Sequence, residues 1–219
     1  MDWDWNFVAE IMPALLAGLL LTIKITVLSF VVAVAVGLFI AISKASSRSY
    51  IKLPVSLVTE GIRRTPLLVQ LYVLFYVLPD VGIVLSPLVA GVIGLGVHTS
   101  TYISEVFRAG IESIPAGQWE AAKACNLSQR QTWKQIILPQ AIPPMIPPLG
   151  NYLISMFKDT PILSVITILD FMGVALAKAN FSYRYLEPVV IVAVGFLLVS
   201  LVSAQLIKQV ELHLNRRMA

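Results

Sequence analysis

Charged residues inside long apolar runs are the first candidates for chemistry in this sequence. Lys158, Asp159 and Thr160 are adjacent in one such run, and Pro161 after them disfavours regular helix at Thr160. A helix that breaks inside a membrane exposes backbone groups, and opposite charges beside the break suit a zwitterionic substrate. The alternative is an internal ion pair that locks this run to a neighbouring helix. The sequence leaves both interpretations open.

Three further polar residues lie in apolar runs and are candidates for a substrate pathway. Asn151 precedes Lys158 by two helical turns on the same face, so it either lines the same cavity or makes an interhelical hydrogen bond. Gln70 has the same two alternatives. Lys24 lies in the first run, where it either snorkels toward the membrane surface or faces a polar cavity.

The residue types that support enzyme chemistry are sparse in this chain. His98 and His213 have no cysteine or carboxylate at metal-ligand spacing, so no metal site is predicted. Cys125 is the only cysteine, which excludes an internal disulfide and gives no indication of nucleophilic catalysis. The phosphate-binding pattern G-x-x-x-x-G-K-[ST] does not occur, so no nucleotide-binding loop of this type is predicted on this chain.

The composition indicates a membrane protein built from helices. Hydrophobic residues make up 58% of the 219 residues and charged residues only 13%, about half the share in soluble domains. Several apolar runs are long enough to cross a bilayer as helices. We therefore predict an all-α polytopic membrane protein, one domain over residues 1–219, with about five transmembrane helices at 14–42, 54–78, 81–107, 142–169 and 188–207.

The distribution of charge predicts the orientation of these spans. Acidic residues precede the first span, whereas Lys44, Arg48 and Lys52 follow it, so the N-terminus is predicted outside and the next loop inside. Arg216 and Arg217 then place the C-terminus inside. This rule, rather than nucleic-acid binding, explains the net charge of +4. The segment between the last two spans, residues 170–187, is predicted to be an external connection.

Two details inside the spans bear on packing. Glycines recur in the third span, where small residues let helices approach closely; they are Gly82, Gly91, Gly94 and Gly96. Near the inner end of the same span, Glu105 and Arg108 are spaced for an i, i+3 ion pair at the surface.

The only long polar stretch covers residues 112–140, and its pattern predicts two short helices joined by a tight turn. Pro115 suits a first helical turn, and Asn126 stands where a helix ends in the left-handed conformation. Ser128 and Gln131 then have the spacing of a capping box, and Pro139 is predicted to stop the second helix. The spacing alone is compatible with either a helix that docks in a partner's groove or an amphipathic hairpin resting on the membrane.

A fixed set of residues in this stretch closely resembles the EAA loop of ABC importer permeases. The family pattern is EAA, three residues, Gly, nine residues and I-x-L-P, and this sequence departs from it only where Asn replaces Gly. The matching positions, which the resemblance assigns to coupling with an ATPase, are Glu120, Ala121, Ala122, Asn126, Ile136, Leu138 and Pro139. Asn is the least costly substitute for Gly at positive φ.

Other segments are similar to the polar amino-acid subfamily of these permeases. Residues 63–70 resemble its RGTPLLVQ segment with Arg64 in place of Gly, and residues 158–166 resemble its KDTSL-x-SVI segment with Pro161 in place of Ser. The resemblance also includes residues 102–118 and 147–151, and it covers about residues 13–210.

The resemblance implies a bacterial inner-membrane importer subunit for polar amino acids or similar compatible solutes. It implies a second permease chain, identical or homologous, and a cytoplasmic ABC ATPase dimer that carries the ATP and Mg²⁺, so no cofactor is expected on this chain. An extracytoplasmic binding protein would deliver the substrate. Two alternatives remain: a channel subunit without an ATPase, and a membrane-embedded lipid-modifying enzyme, which would need clustered carboxylates or histidines.

Overall fold

The computed structural model describes the backbone of residues 3–218 and the side chains of residues 3–214. The side chains of Arg216 and Arg217, used above to orient the C-terminus, therefore lie outside the described part. Every regular element in that part is helical. The α-helices are α1 (Trp5–Lys44), α2 (Ser49–Arg64), α3 (Leu67–Tyr72), α4 (Pro87–Glu112), α5 (Ala116–Ala124), α6 (Gln129–Gln131), α7 (Leu138–Asp159), α8 (Phe171–Ser182) and α9 (Leu186–Met218).

The first helix begins earlier than the apolar run predicts. Asp4 caps α1, because its carboxylate accepts hydrogen bonds from the backbone N–H groups of Asn6 (2.9 Å) and Phe7 (3.2 Å). The helix therefore starts at Trp5 rather than near residue 14 and runs for 40 residues. Helix α4 starts later than predicted, at Pro87, because Ser86 caps it and residues 83–86 are not helical.

Close packing of α1 against α4 forms the centre of the fold, and glycines make the approach possible. A Cβ atom on Gly96 of α4 would lie 2.8 Å from Val32 Cγ1 and 3.0 Å from the Ser29 carbonyl oxygen of α1. A Cβ atom on Gly37 of α1 would lie 3.0 Å from the Ser100 carbonyl oxygen of α4. The predicted packing role is confirmed for Gly91, Gly94 and Gly96 but is wrong for Gly82, which has no neighbour there and instead provides a left-handed turn at φ 85°.

The second predicted span consists of two helical pieces. Helix α2 ends at Arg64, and α3 begins at Leu67 and continues through a π-helical turn (Val73–Val77) and a 3-10 turn (Leu78–Val81). Thr65 between them is extended (φ −105°, ψ 140°), as expected for a residue before proline. The apolar face of α2, which includes Tyr50, Leu53 and Leu57, is exposed.

The prediction that Pro139 stops the second hairpin helix is wrong. A wide π-helical turn (Thr132–Ile137) leads from α6 directly into α7, which includes Pro139. Such local widening relieves the clash between a proline ring and the preceding turn, so the helix continues. The side-chain amide of Gln140 donates to the Ile136 carbonyl oxygen at 2.7 Å and so satisfies an acceptor beside the proline.

Regular α-helix does end at Asp159, as Pro161 predicts, and a 3-10 segment (Thr160–Ile166) follows. The segment 170–187 is not a plain connection, because it contains α8. Asp170, fully buried, caps that helix by accepting from the Gly173 N–H at 2.8 Å. A short polar residue before an apolar run is the signal for this helix start that the prediction missed.

By length and composition, two helices of the described residues can cross a membrane: α1 and the Leu186–Leu214 part of α9. A third span results if Gln129–Ile166 and Phe171–Ser182, which meet at a bend of 47°, count as one. The fold is thus an all-helical membrane architecture with two or three long apolar spans. The broken second span and α4 fall short of the same criteria, so the number five stays a prediction.

Replacing Gly96 with alanine tests the α1–α4 contact. The added methyl would lie 2.8 Å from Val32 and 3.0 Å from backbone, so we expect Gly96→Ala to reduce stability by about 1–3 kcal/mol, the usual cost of overpacking. Gly61→Ala in α2 is the matched control, because nothing lies within 4 Å of its added methyl. Thermal unfolding in detergent measures both, and equal melting temperatures would contradict the packing argument.

Candidate functional site

The polar stretch folds into a hairpin of α5 and the α6–π segment, and a Schellman turn closes its first helix. Asn126 has φ 54°, the left-handed conformation predicted from the sequence. The Leu127 N–H donates to the Ala122 carbonyl (3.1 Å) and the Asn126 N–H to the Lys123 carbonyl (3.0 Å), the two bonds that define this motif. Asparagine here thus replaces glycine without changing the turn.

The second arm of the hairpin starts with the predicted capping box. The Ser128 hydroxyl accepts from the Gln131 N–H, and the Gln131 side chain accepts from the Ser128 N–H at 3.0 Å. Trp119 and Trp133 then meet edge to face across the hairpin with ring centroids 5.3 Å apart. An apolar cluster attaches the hairpin to α4 and α7; its buried members are Ile114, Ile137, Ala141 and Met145. The hairpin is therefore a rigid extension of these two helices.

The residues of the EAA pattern divide into exposed and buried groups. Glu120 and Ala121 are exposed on α5, whereas Ala122 retains only 3% of its accessible surface. Ala122 packs within the hairpin, and its assignment to coupling stays a prediction. Pro139 is exposed, Leu138 is 38% exposed and Ile136 is half-buried. The surface available for docking is centred on Glu120 and Ala121.

A cavity of about 350 Å³ contains the two charged substrate candidates. Lys158 and Asp159 line it together with His98 of α4, Leu67 at the start of α3 and Ile162 of the 3-10 segment. Ligand cavities in proteins generally measure about 300–1,000 Å³, so a small molecule fits. Within the described part of the chain neither Lys158 nor Asp159 forms a hydrogen bond or ion pair to another residue. Among the side chains that the structure describes, no ion pair therefore locks α7 to a neighbouring helix at this point.

The structure separates the remaining candidates from this cavity. Thr160 is fully buried, and its hydroxyl donates to the Phe157 carbonyl of its own helix at 2.9 Å. Asn151 and Lys24 are exposed, and neither makes a hydrogen bond within residues 3–214. Their predicted roles in a substrate pathway therefore remain predictions without a shared site.

Gln70 and His98 form a pair that joins the cavity to the break in the second span. The Gln70 side-chain oxygen lies 3.2 Å from His98 Nδ1. Because an amide oxygen can only accept, His98 donates this hydrogen bond through Nδ1–H. Sequence reasoning treated His98 as isolated and missed it. The available signal was its position in an apolar helix, where a polar side chain is costly without a partner. No group of three metal-ligating side chains is present among the described residues.

Glu105 is the centre of a larger ion-pair cluster than its spacing predicts. The predicted pair with Arg108 is confirmed at 2.7 Å. Lys44 of α1 (3.2 Å) and Arg63 of α2 (3.4 Å) contact the same carboxylate, which joins three helices. Arg63 also donates to the Thr101 carbonyl oxygen at 2.6 Å. These side chains line a cavity of about 470 Å³ next to the start of the hairpin.

The hairpin, the charged cavity and the helical architecture together define a permease subunit of an ABC transporter. Residues 33–216 match the model of the family described as binding-protein-dependent transport system inner membrane component, so the chain belongs to that family. It is a transport subunit rather than an enzyme.

Individual relatives cover nearly the whole chain. A probable amino-acid ABC transporter permease protein of Sinorhizobium fredii is 40% identical over 98% of this chain and 95% of its own length. The L-cystine transport system permease protein of Bacillus subtilis is 32% identical over 98% and 91%. Among solved structures, a crystal structure of an amino acid ABC transporter with histidines superposes with a TM-score of 0.91 at 37% identity, covering 97% of this chain and 100% of the other.

Proposed function

We propose that this chain imports polar amino acids or amino-acid-like compatible solutes as the permease of an ATP-driven importer in the bacterial inner membrane. The observation that carries the proposal is the rigid hairpin at 112–140, which presents Glu120 and Ala121 outward while Trp119 and Trp133 fix it to the helices behind. A coupling element must transmit displacement, and a packed, doubly capped hairpin is suited to that task. ATP and Mg²⁺ belong to the cytoplasmic ATPase dimer on which the hairpin would dock.

The cavity at Lys158 and Asp159 supports the amino-acid class of substrate. A zwitterion requires a cation for its carboxylate and an anion for its ammonium group, and Lys158 and Asp159 provide both on one cavity wall. His98 adds a neutral hydrogen-bonding group to the same wall. The names of the relatives are consistent with this class, and the individual amino acid depends on the binding protein as well.

The remaining features of the proposal concern arrangement. Five spans, with the N-terminus outside and the C-terminus inside, place the hairpin on the cytoplasmic side where the ATPase is found. A second permease, identical or homologous, would cover the exposed apolar helix faces that lipid does not, and an extracytoplasmic binding protein would deliver the substrate. A channel subunit, the second candidate function, would not require a hairpin that docks on an ATPase.

Cys125 provides a native probe of this orientation, because it is the only cysteine and is exposed in the hairpin turn. We expect a membrane-impermeant maleimide to label it in inside-out vesicles and not in sealed right-side-out vesicles. Labelling should slow when the ATPase subunit is bound. Cys125→Ser controls for background, and labelling from the outer side would contradict the proposed topology.

Reversing the charge of Glu120 tests whether the hairpin docks on the ATPase. We expect Glu120→Arg to reduce co-purification of the ATPase by roughly tenfold, equivalent to 1.4 kcal/mol, because an exposed carboxylate at the contact becomes a cation. Glu211→Arg on α9 is the matched control, since it makes the same charge change at an exposed residue away from the hairpin. If the wild-type permease retains no ATPase, or the Glu120 variant still assembles and transports normally, the channel alternative gains and the coupling claim is wrong.

Replacing Asp159 tests whether the cavity binds the substrate. In proteoliposomes with the ATPase and binding protein, we expect Asp159→Ala to reduce uptake at least about tenfold, since a hydrogen bond to a charged group contributes about 1.5–3 kcal/mol. Uptake of glutamate, arginine and glutamine should be compared, and arginine should lose most because the remaining Lys158 repels it. Asp80→Ala, at an exposed turn, is the control. If Asp159→Ala prevents the complex from assembling, rather than reducing uptake by an assembled complex, the structural alternative for Asp159 is favoured.

A further inference from the structure

Two side chains, Thr65 and Gln70, support the break between α2 and α3. The Thr65 hydroxyl lies 3.1 Å from both the Gly61 and the Ile62 carbonyl oxygens, and Gln70 reaches across the break. Pro66 lacks an N–H group and keeps Thr65 out of the helical conformation, so carbonyl groups near the break lose their helical donors. The side-chain amide nitrogen of Gln70 lies within hydrogen-bond distance of the Ile62 carbonyl (2.7 Å), the Thr65 carbonyl (3.1 Å) and the Thr65 hydroxyl (2.8 Å). Gln70 therefore connects the end of α2 to the first turns of α3.

The other end of the same amide contacts the wall of the candidate substrate cavity. Its oxygen pairs with His98, and His98 lines the cavity with Lys158 and Asp159. Leu67, the first residue after the break, lines that cavity as well. Gln70 thus contacts both the break and a residue of the cavity wall.

On the α2 side of the break lies the ion-pair cluster around Glu105. Arg63, two residues before Thr65, binds Glu105 and the Thr101 carbonyl, and its guanidinium stacks over the Tyr102 ring at 5.2 Å. Glu105 in turn pairs with Arg108 at 2.7 Å, and Arg108 pairs with Glu112, the last residue of α4 and the first of the hairpin segment. Lys44 adds α1 to the same cluster.

We propose that Gln70 and Glu105 are positioning residues that link the substrate cavity to the coupling hairpin across the Thr65–Pro66 break. A proline break is where a membrane helix changes angle most easily. Because polar contacts lie on both sides of it, α3 moves relative to α2 only if the His98 contact and the Glu105 cluster move with it. This inference rests on the proposed function. It describes the contacts through which substrate in the cavity would influence the ATPase.

A double-mutant cycle tests the link. The complete complex in proteoliposomes is assayed for ATP hydrolysis, stimulated by the binding protein with whichever of glutamate, arginine or glutamine the wild type takes up fastest. We expect Gln70→Met and Glu105→Gln each to reduce the stimulation at least about fivefold, the low end of usual coupling energies, in a complex that still assembles. The double variant should be no worse than either single variant, because both interrupt one path.

Glu10→Gln is the matched control for Glu105→Gln. Glu10 is exposed near the start of α1, at the opposite end of that helix from Lys44, so the same change removes no contact of the Glu105 cluster and stimulation should stay at the wild-type level. If Gln70→Met does not assemble, Gln70→Asn keeps the amide but shortens its reach, and the same fivefold loss is expected.

The outcomes separate this inference from the function on which it depends. Full stimulation in either single variant, or additive losses in the double variant, would overturn the link. If the wild-type chain binds no ATPase or shows no stimulation with any of the three amino acids, the proposed function itself fails.

Discussion

The need to satisfy every polar group in an apolar solvent governs this structure. Lipid offers no hydrogen bonds, so a helix that breaks within the membrane needs its freed carbonyl groups satisfied nearby. The Thr65 and Gln70 side chains do this at Pro66, and a 3-10 segment follows the break at Pro161, whereas Pro139 in the exposed hairpin is accommodated by a π-helical turn and the Gln140 amide. These local solutions set where the helices bend, and the bends bring distant residues together.

The same constraint makes the charged cavity informative. The Lys158 and Asp159 side chains lie at the end of α7 and form no ion pair with the side chains described for residues 3–214, although charges within a membrane protein are costly. A pair of charges kept for stability alone would be expected to contact another helix. Their position on a cavity wall beside His98 instead agrees with a role in binding a molecule that carries both charges.

The hairpin and the Glu105 cluster tie the ends of the long helices to one another. The hairpin is packed on α4 and α7, and the cluster joins α4 to α1 and α2. Half-buried ion pairs contribute modestly to stability, so their value here lies in fixing the relative position of three helix ends. The buried α1–α4 contact, made possible by Gly37 and Gly96, gives the cluster a rigid base.

Local sequence patterns were enough to predict the all-helical membrane class, the EAA motif, the left-handed Asn126, the Ser128 capping box and the end of regular helix before Pro161. Each of these depends on residues close together in the chain, whose conformational preferences are set locally. Four features emerged only in the folded chain: Ala122 is buried, His98 meets Gln70, Glu105 binds Lys44 and Arg63, and α7 continues through Pro139. Most of these features bring together residues that are far apart in the chain. The packing of the helices determines which of them meet, and no local pattern encodes that packing.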